Sequence, residues 1–185
     1  MKMSDRGSDL SVLFLCTRNS ARSQIAEAII NHKAAGRIRA ASAGSQPGSE
    51  VHPLAVDALR ARGIEWQGRT PKDFEAVSDE HWDVIITVCD QAREACPTFP
   101  GQPVYAHWGI PDPAAATGAD ADRKRAFSEA AVFLARRIDL LLALPLEKLS
   151  RRALQDQVED IASALPWERD NSARSRAVFP KFTKV

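Results

Sequence analysis

The stretch LSVLFLCTRNSARS, residues 10–23, decides the fold. Its first part, 10–15, is a nearly unbroken apolar run, the pattern of a strand buried on both faces of a parallel sheet. A polar loop, 16–23, follows at once. Ile25, Ala26, Ile29 and Ile30 then recur at helical spacing. The order is strand, tight loop, helix.

Outward from this unit the order recurs. A second strand is predicted over 38–43, closed by Gly44, and a helix over 53–62, with Leu54, Ala55, Ala58 and Leu59 on one face and Gly63 at its end. The run DVIITV at 83–88 reads as another buried strand and ends at Cys89, and 103–106 reads as a short fourth strand. A long helix is predicted over 121–144, with Phe127, Ala131, Leu134, Ile138 and Leu141 in register and Pro145 as its stop. Alternating strands and helices predict an α/β fold: a three-layer, doubly wound sandwich of a four-stranded parallel sheet with helices on both faces. Ligands of such sheets bind outside the carboxyl ends of the strands. Cys16 and Cys89 each stand directly after a strand, so both are expected on that rim.

The chain has 185 residues and a formal net charge of +1. That length suits one core, assigned to 10–145. Residues 1–9 are expected to be disordered. Residues 146–166 read as an appended amphipathic helix, either packed on the core or offered to a partner, and 167–185 as a mobile tail. Acidic and basic residues alternate, which gives no nucleic-acid footprint. The apolar runs are too short for a membrane span or a signal core, so a cytoplasmic protein is expected. The three cysteines, Cys16, Cys89 and Cys96, do not form a disulfide framework or a zinc pattern. His32, His52, His81 and His107 are scattered and read as structural or surface residues. Neither metal nor cofactor is expected.

The loop Cys16, Thr17, Arg18, Asn19, Ser20, Ala21, Arg22, Ser23 has the form Cys-x5-Arg-Ser. A loop of this length can curl its N–H groups inward as a nest for a tetrahedral oxyanion. The helix N-terminus adds partial positive charge there, and the planar fork of Arg22 holds two oxygens. In such surroundings a cysteine is expected to have a pKa of about 3.5–7.5 and to serve as a nucleophile. Ser23 is placed to donate to the thiolate, and Asn19 to fix the curl.

This loop resembles the signature of low-molecular-weight protein tyrosine phosphatases and of the arsenate reductases built on that fold, which implies a phosphotyrosine phosphatase I-like topology. Two departures stand out: Arg18 replaces the usual glycine, and Ala21 replaces a cysteine found in many members. The segment around Pro111, Asp112 and Pro113 resembles the family's acid loop, with Asp112 as the general acid. Ala114, Ala115 and Ala116 follow where phosphatases carry aromatic residues. Cys89 and Cys96 match the two further cysteines of the thiol-relay reductases. Residues 42–44 and 107–109 also look like those reductases. Some relatives bind potassium beside the loop; Asn19, Glu27 and Ser42 match three of its ligands, but Lys72 follows Thr70 and Pro71 where an aspartate is usual, and Asp73 comes one position late.

The resemblance implies reduction of arsenate to arsenite, with phosphate or sulfate as mimics of the substrate. In that relay Cys16 attacks arsenic, Cys89 attacks Cys16, Cys96 takes over the disulfide, and thioredoxin or glutaredoxin reduces it. Residues seven apart on a helix are displaced by about 10.5 Å, whereas a disulfide needs Cα atoms within about 7 Å. A helix running from 89 to 96 would therefore have to unwind. Two other readings remain open: a phosphatase acting on phosphomonoesters through a phosphocysteine, and a non-catalytic oxyanion or redox sensor.

Overall fold

The computed structural model describes residues 10–167. The expectations for 1–9, and for the tail beyond Trp167, lie outside the described residues. The chain runs β1 (Leu10–Cys16), α1 (Arg22–Ala34), β2 (Ile38–Gly44), α2 (Pro53–Arg60), α3 (Glu75–Ser78), β3 (Val84–Thr87), α4 (Asp90–Glu94), β4 (Val104–His107), α5 (Asp120–Ala143) and α6 (Arg151–Ala164). Short 3-10 turns lie at Pro113–Ala115 and Leu146–Lys148.

The four strands form one parallel sheet in the order β2-β1-β3-β4. The chain reverses its direction of travel across the sheet between β1 and β3, and a crevice opens there at the carboxyl ends. Every residue of β3 is buried, as are six of the seven in β1, so both sheet faces are covered. A fully buried Leu or Ile contributes about 1.5–3 kcal/mol, and Leu13, Leu15, Ile85 and Ile86 are completely enclosed. Helix α5 packs on α1 and α2, while α6 packs on β4. The α5 stripe predicted from spacing is buried throughout.

One expectation needs correction. The amphipathic segment 146–165 is not one helix. Leu146–Lys148 is a 3-10 turn, Leu149 is extended, and α6 starts only after Ser150, whose hydroxyl accepts the Ala153 N–H at 3.3 Å. The serine supplies a cap acceptor that breaks the run into two pieces. Leu154, Val158 and Ile161 of α6 face inward, and Trp108 Nε1 donates to the Val158 carbonyl at 3.0 Å. The 89–96 segment, read from the sequence only as a condition, is not a helix from end to end. Helix α4 holds only five residues, Cys89 precedes it in extended conformation (φ −149°, ψ 155°), and Cys96 lies past its end.

Candidate active site

Cys16 ends β1, and the loop to α1 is closed from within by Asn19. Asn19 adopts the left-handed conformation (φ 47°), which asparagine tolerates better than most residues. The departure at position 18 is thereby accommodated: the turn is made at Asn19, not at Arg18, whose side chain stays exposed. The buried Asn19 amide has two N–H donors and two acceptor sites, and all four are used. Nδ2 donates to Ser23 Oγ (2.9 Å) and Ser42 Oγ (2.7 Å), while Oδ1 accepts from Gln24 Nε2 (3.2 Å) and the Lys72 N–H (2.7 Å). Ser42 in turn donates to Glu27 Oε2 at 2.6 Å. Burial pushes the Glu27 carboxyl up, opposed by the Ser42 hydrogen bond and the charges of Lys72 and Arg69. These hydrogen bonds join Asn19, Ser42 and Glu27, the three residues matched to a potassium site. Among the described residues there is no cluster of three His, Cys, Asp or Glu suited to a metal.

Gly44 lets this loop lie against β2. A Cβ there would come within 2.5 Å of the Thr17 carbonyl oxygen and 2.8 Å of the Asn19 nitrogen. The following residues bind the loop from outside: Ser45, Gln46 and Gly48 donate their N–H groups to the carbonyls of Cys16, Thr17 and Arg18, and His52 donates to that of Ser20. Helix α1 starts at Ala21 without a side-chain cap, which leaves its first-turn N–H groups available to an anion.

Cys16 is 2% exposed. Its sulfur lies 2.8 Å from Ser23 Oγ and accepts the Asn19 N–H at 3.1 Å. Because Asn19 donates to Ser23 Oγ, the serine's own proton is free to point at sulfur. The expectation of a low thiol pKa needs correction, however. Burial pushes the Cys16 thiol above its ordinary 9.0, and the hydrogen bonds of Ser23, the charge of Arg22 and the Asn19 N–H oppose the rise without overcoming it. The physical reason is the enclosure of the sulfur, which outweighs these groups. The Arg22 guanidinium donates to the Ile110 carbonyl (3.1 Å) and pairs with Asp112 Oδ2 (3.3 Å).

Asp112 is therefore brought to the loop by Arg22, and its Oδ1 also accepts the Ala114 N–H at 3.1 Å. Cys89 is brought there as well. The buried Cys89 Sγ lies 3.3 Å from Thr17 Oγ1, the hydroxyl next to the nucleophile. Cys96 lies apart: it is half-buried, its S–H is 3.6 Å from the Pro97 carbonyl oxygen, and burial pushes its thiol up to about 11. All three thiols are free.

Several site residues escaped the sequence reading. Gln24 holds Asn19 and accepts from Trp66 Nε1 at 2.8 Å. His107 Nδ1 is 2.8 Å from Thr87 Oγ1 and its Nε2 is 3.0 Å from Asp90 Oδ1. Burial and the nearby Arg93 pull the His107 pKa down, against the pull of Asp90. Arg137, on the apolar side of α5, faces the cleft that Arg22, Cys89, His107 and Asp112 also line. His107 lies in the 107–109 stretch already likened to the reductases, whereas no local pattern marks the roles of Gln24 and Arg137, which depend on Trp66 and on the Leu165 carbonyl.

The chain matches the low molecular weight phosphotyrosine protein phosphatase family over residues 11–152. It is 34% identical over 102 residues to a glutaredoxin arsenate reductase from Synechocystis sp., a match covering 55% of this chain and 77% of that protein. Its structure resembles that of an arsenate reductase in the phosphate binding state, with 28% identity and a TM-score of 0.59 over 72% of this chain and 97% of the other. It also resembles a thioredoxin-dependent arsenate reductase from Corynebacterium glutamicum, with 30% identity and a TM-score of 0.53 over 73% of this chain and 64% of the other.

Proposed function

The chain belongs to the low molecular weight phosphotyrosine protein phosphatase family, and from that premise we propose that it reduces arsenate to arsenite in the cytoplasm through Cys16, Cys89 and Cys96. The observation that carries this reading is the contact between Thr17 Oγ1 and Cys89 Sγ at 3.3 Å. It puts a second buried thiol against the loop of the first, an arrangement that phosphate hydrolysis does not need. The likeness to named arsenate reductases supports the same reading.

In this mechanism the oxyanion sits on the 16–23 loop and draws Arg22 away from Asp112. Asp112 is then free to hold the proton for the departing oxygen. Cys16 sulfur bonds to arsenic as that oxygen leaves as water. The Cys89 thiolate attacks Cys16 Sγ; the S–As bond breaks, its electron pair goes to arsenic, and arsenite leaves. The Cys96 thiolate then attacks Cys89 Sγ, and Cys16 departs as thiolate. An external dithiol, thioredoxin or glutaredoxin, reduces the resulting Cys89–Cys96 bond. Cys96 lies beyond the single turn of α4, so in this mechanism α4 opens before Cys96 acts.

The test is arsenate-dependent NADPH consumption with thioredoxin and thioredoxin reductase. Cys16→Ser, Cys89→Ser and Cys96→Ser should each abolish multiple turnover. Cys96→Ser turning over normally would remove it from the relay. A wild type that is inactive with arsenate but hydrolyses an aryl phosphate briskly would make the chain a phosphatase.

A further inference from the structure

Helix α6 lies almost wholly outside the family match, which ends at residue 152. It is nevertheless tied to the rest of the fold along its length. The Gln155 amide spans the backbone of Tyr105 on β4: its Oε1 accepts the Tyr105 N–H at 3.1 Å, and its Nε2 donates to the Tyr105 carbonyl. The buried Trp108 indole donates to the Val158 carbonyl at 3.0 Å. Just past the helix, the Leu165 carbonyl accepts from Nη2 of Arg137 on α5 at 2.9 Å. Leu154, Val158 and Ile161 are buried between these ties. The far end of α6 therefore has a set position.

That end stands beside the anion loop. Ala162 and Ser163, in the last turn of α6, line a cleft of about 630 Å³ together with Arg22, Cys89 and Asp112. Ala162 is half-buried, Ser163 is exposed, and both side chains are small. In the mechanism above, Cys16 attacks an oxyanion in line with the oxygen that departs, and that oxygen takes its proton from Asp112. In arsenate it carries nothing but hydrogen. In an ester it carries a carbon group, and that group extends past Asp112 into the cleft. A volume of this size accommodates a small organic group.

We propose that the last turn of α6, through Ala162 and Ser163, is a specificity wall for the carbon group of organic oxyanions such as phosphate monoesters. Its small side chains leave the cleft open to a group the size of an aryl ring. A larger side chain there shuts out the carbon group, while the inorganic ion, held by the 16–23 loop and Arg22, does not reach the wall. The proposal rests on the reading of that loop as the oxyanion site, and adds what discriminates between an inorganic ion and an ester there. It gives the tie between Arg137 and the Leu165 carbonyl a positioning role, since that bond fixes the chain directly after Ala162 and Ser163.

The experiment is calorimetric titration of the full chain with inorganic phosphate and with phenylphosphonate, in which a ring carbon replaces the departing oxygen. In Ser163→Phe the ratio of the phenylphosphonate Kd to the phosphate Kd should rise by about tenfold or more over wild type, the scale expected when a pocket is overfilled by several carbon atoms. Ser163→Leu should give a smaller rise in the same direction. Gln157→Phe puts the same ring on an exposed position of α6 away from the cleft lining, and should keep the wild-type ratio. A ratio in Ser163→Phe within about twofold of wild type, an equal rise in Gln157→Phe, or a wild type that binds phosphate but no phenylphosphonate overturns the proposal. A wild type that binds neither ion overturns the reading of the loop itself, and this inference falls with it.

Discussion

Two cysteine segments leave the same rim of the sheet, one after β1 and one after β3, and they are built in opposite ways. The 16–23 loop is fixed from every side: Asn19 uses all four of its side-chain hydrogen-bonding positions, and four backbone donors from 45–52 bind its carbonyls. The 89–96 segment is one helical turn, whose Gln91, Arg93 and Glu94 are exposed. Its side-chain tie to the loop is Thr17, which lies 3.3 Å from Cys89 Sγ and donates to Gln91 Oε1 at 3.0 Å. The contrast separates two tasks. A loop that holds an anion gains from geometry set before binding. A thiol pair that must meet elsewhere gains from a segment that opens at small cost.

The largest test of this contrast is Asn19→Ala. It leaves three buried partners and the part-buried Lys72 N–H unmatched and puts alanine in the left-handed region, so it should cost about 3–4 kcal/mol of stability, read by urea unfolding, and remove phosphate binding. If that cost were under about 1 kcal/mol, the loop would not be the rigid member of the pair.

A pH series sharpens the same point. Because burial raises the Glu27 carboxyl in the folded state, folding favours its protonated form. The resulting penalty is absent below 4.5, its ordinary value, and grows as pH rises from there toward the raised value. Glu27→Gln should therefore gain stability relative to wild type as pH climbs from 4 to 8, measured by denaturant midpoints. A difference that does not change with pH would remove Glu27 from the strained network. The smallest effect belongs to the other segment. Gln91→Ala removes an exposed hydrogen bond and should change stability by less than about 0.5 kcal/mol.

The loop was legible because its parts are contiguous. Cys16, Asn19, Arg22 and Ser23 lie within eight residues between a strand and a helix, each easy to read from its own pattern. Whether 89–96 is helical stayed open in the sequence, because spacing alone cannot show where a short helix stops. Cys89 is held in extended backbone as the sheet ends, so helical geometry starts one residue later. The break before α6 followed from Ser150, whose capping role depends on which way its side chain turns. Arg137 was invisible within an apolar stripe, because its burial depends on Phe133 and on the carbonyl of Leu165, 28 residues away.

The sequence by itself determined the parallel sheet, the placing of Cys16 and Cys89 at its carboxyl rim, and the strand–loop–helix order around Cys16, since periodicity and local spacing carry that information. The tertiary structure alone decided how the charges are shared. Arg22 is drawn to Asp112, Lys72 and Arg69 act on the buried Glu27, and, among the described residues, two nitrogens of the buried Arg137 have no acceptor. These outcomes depend on distances between segments far apart in the chain, and on how deeply folding buries each charge.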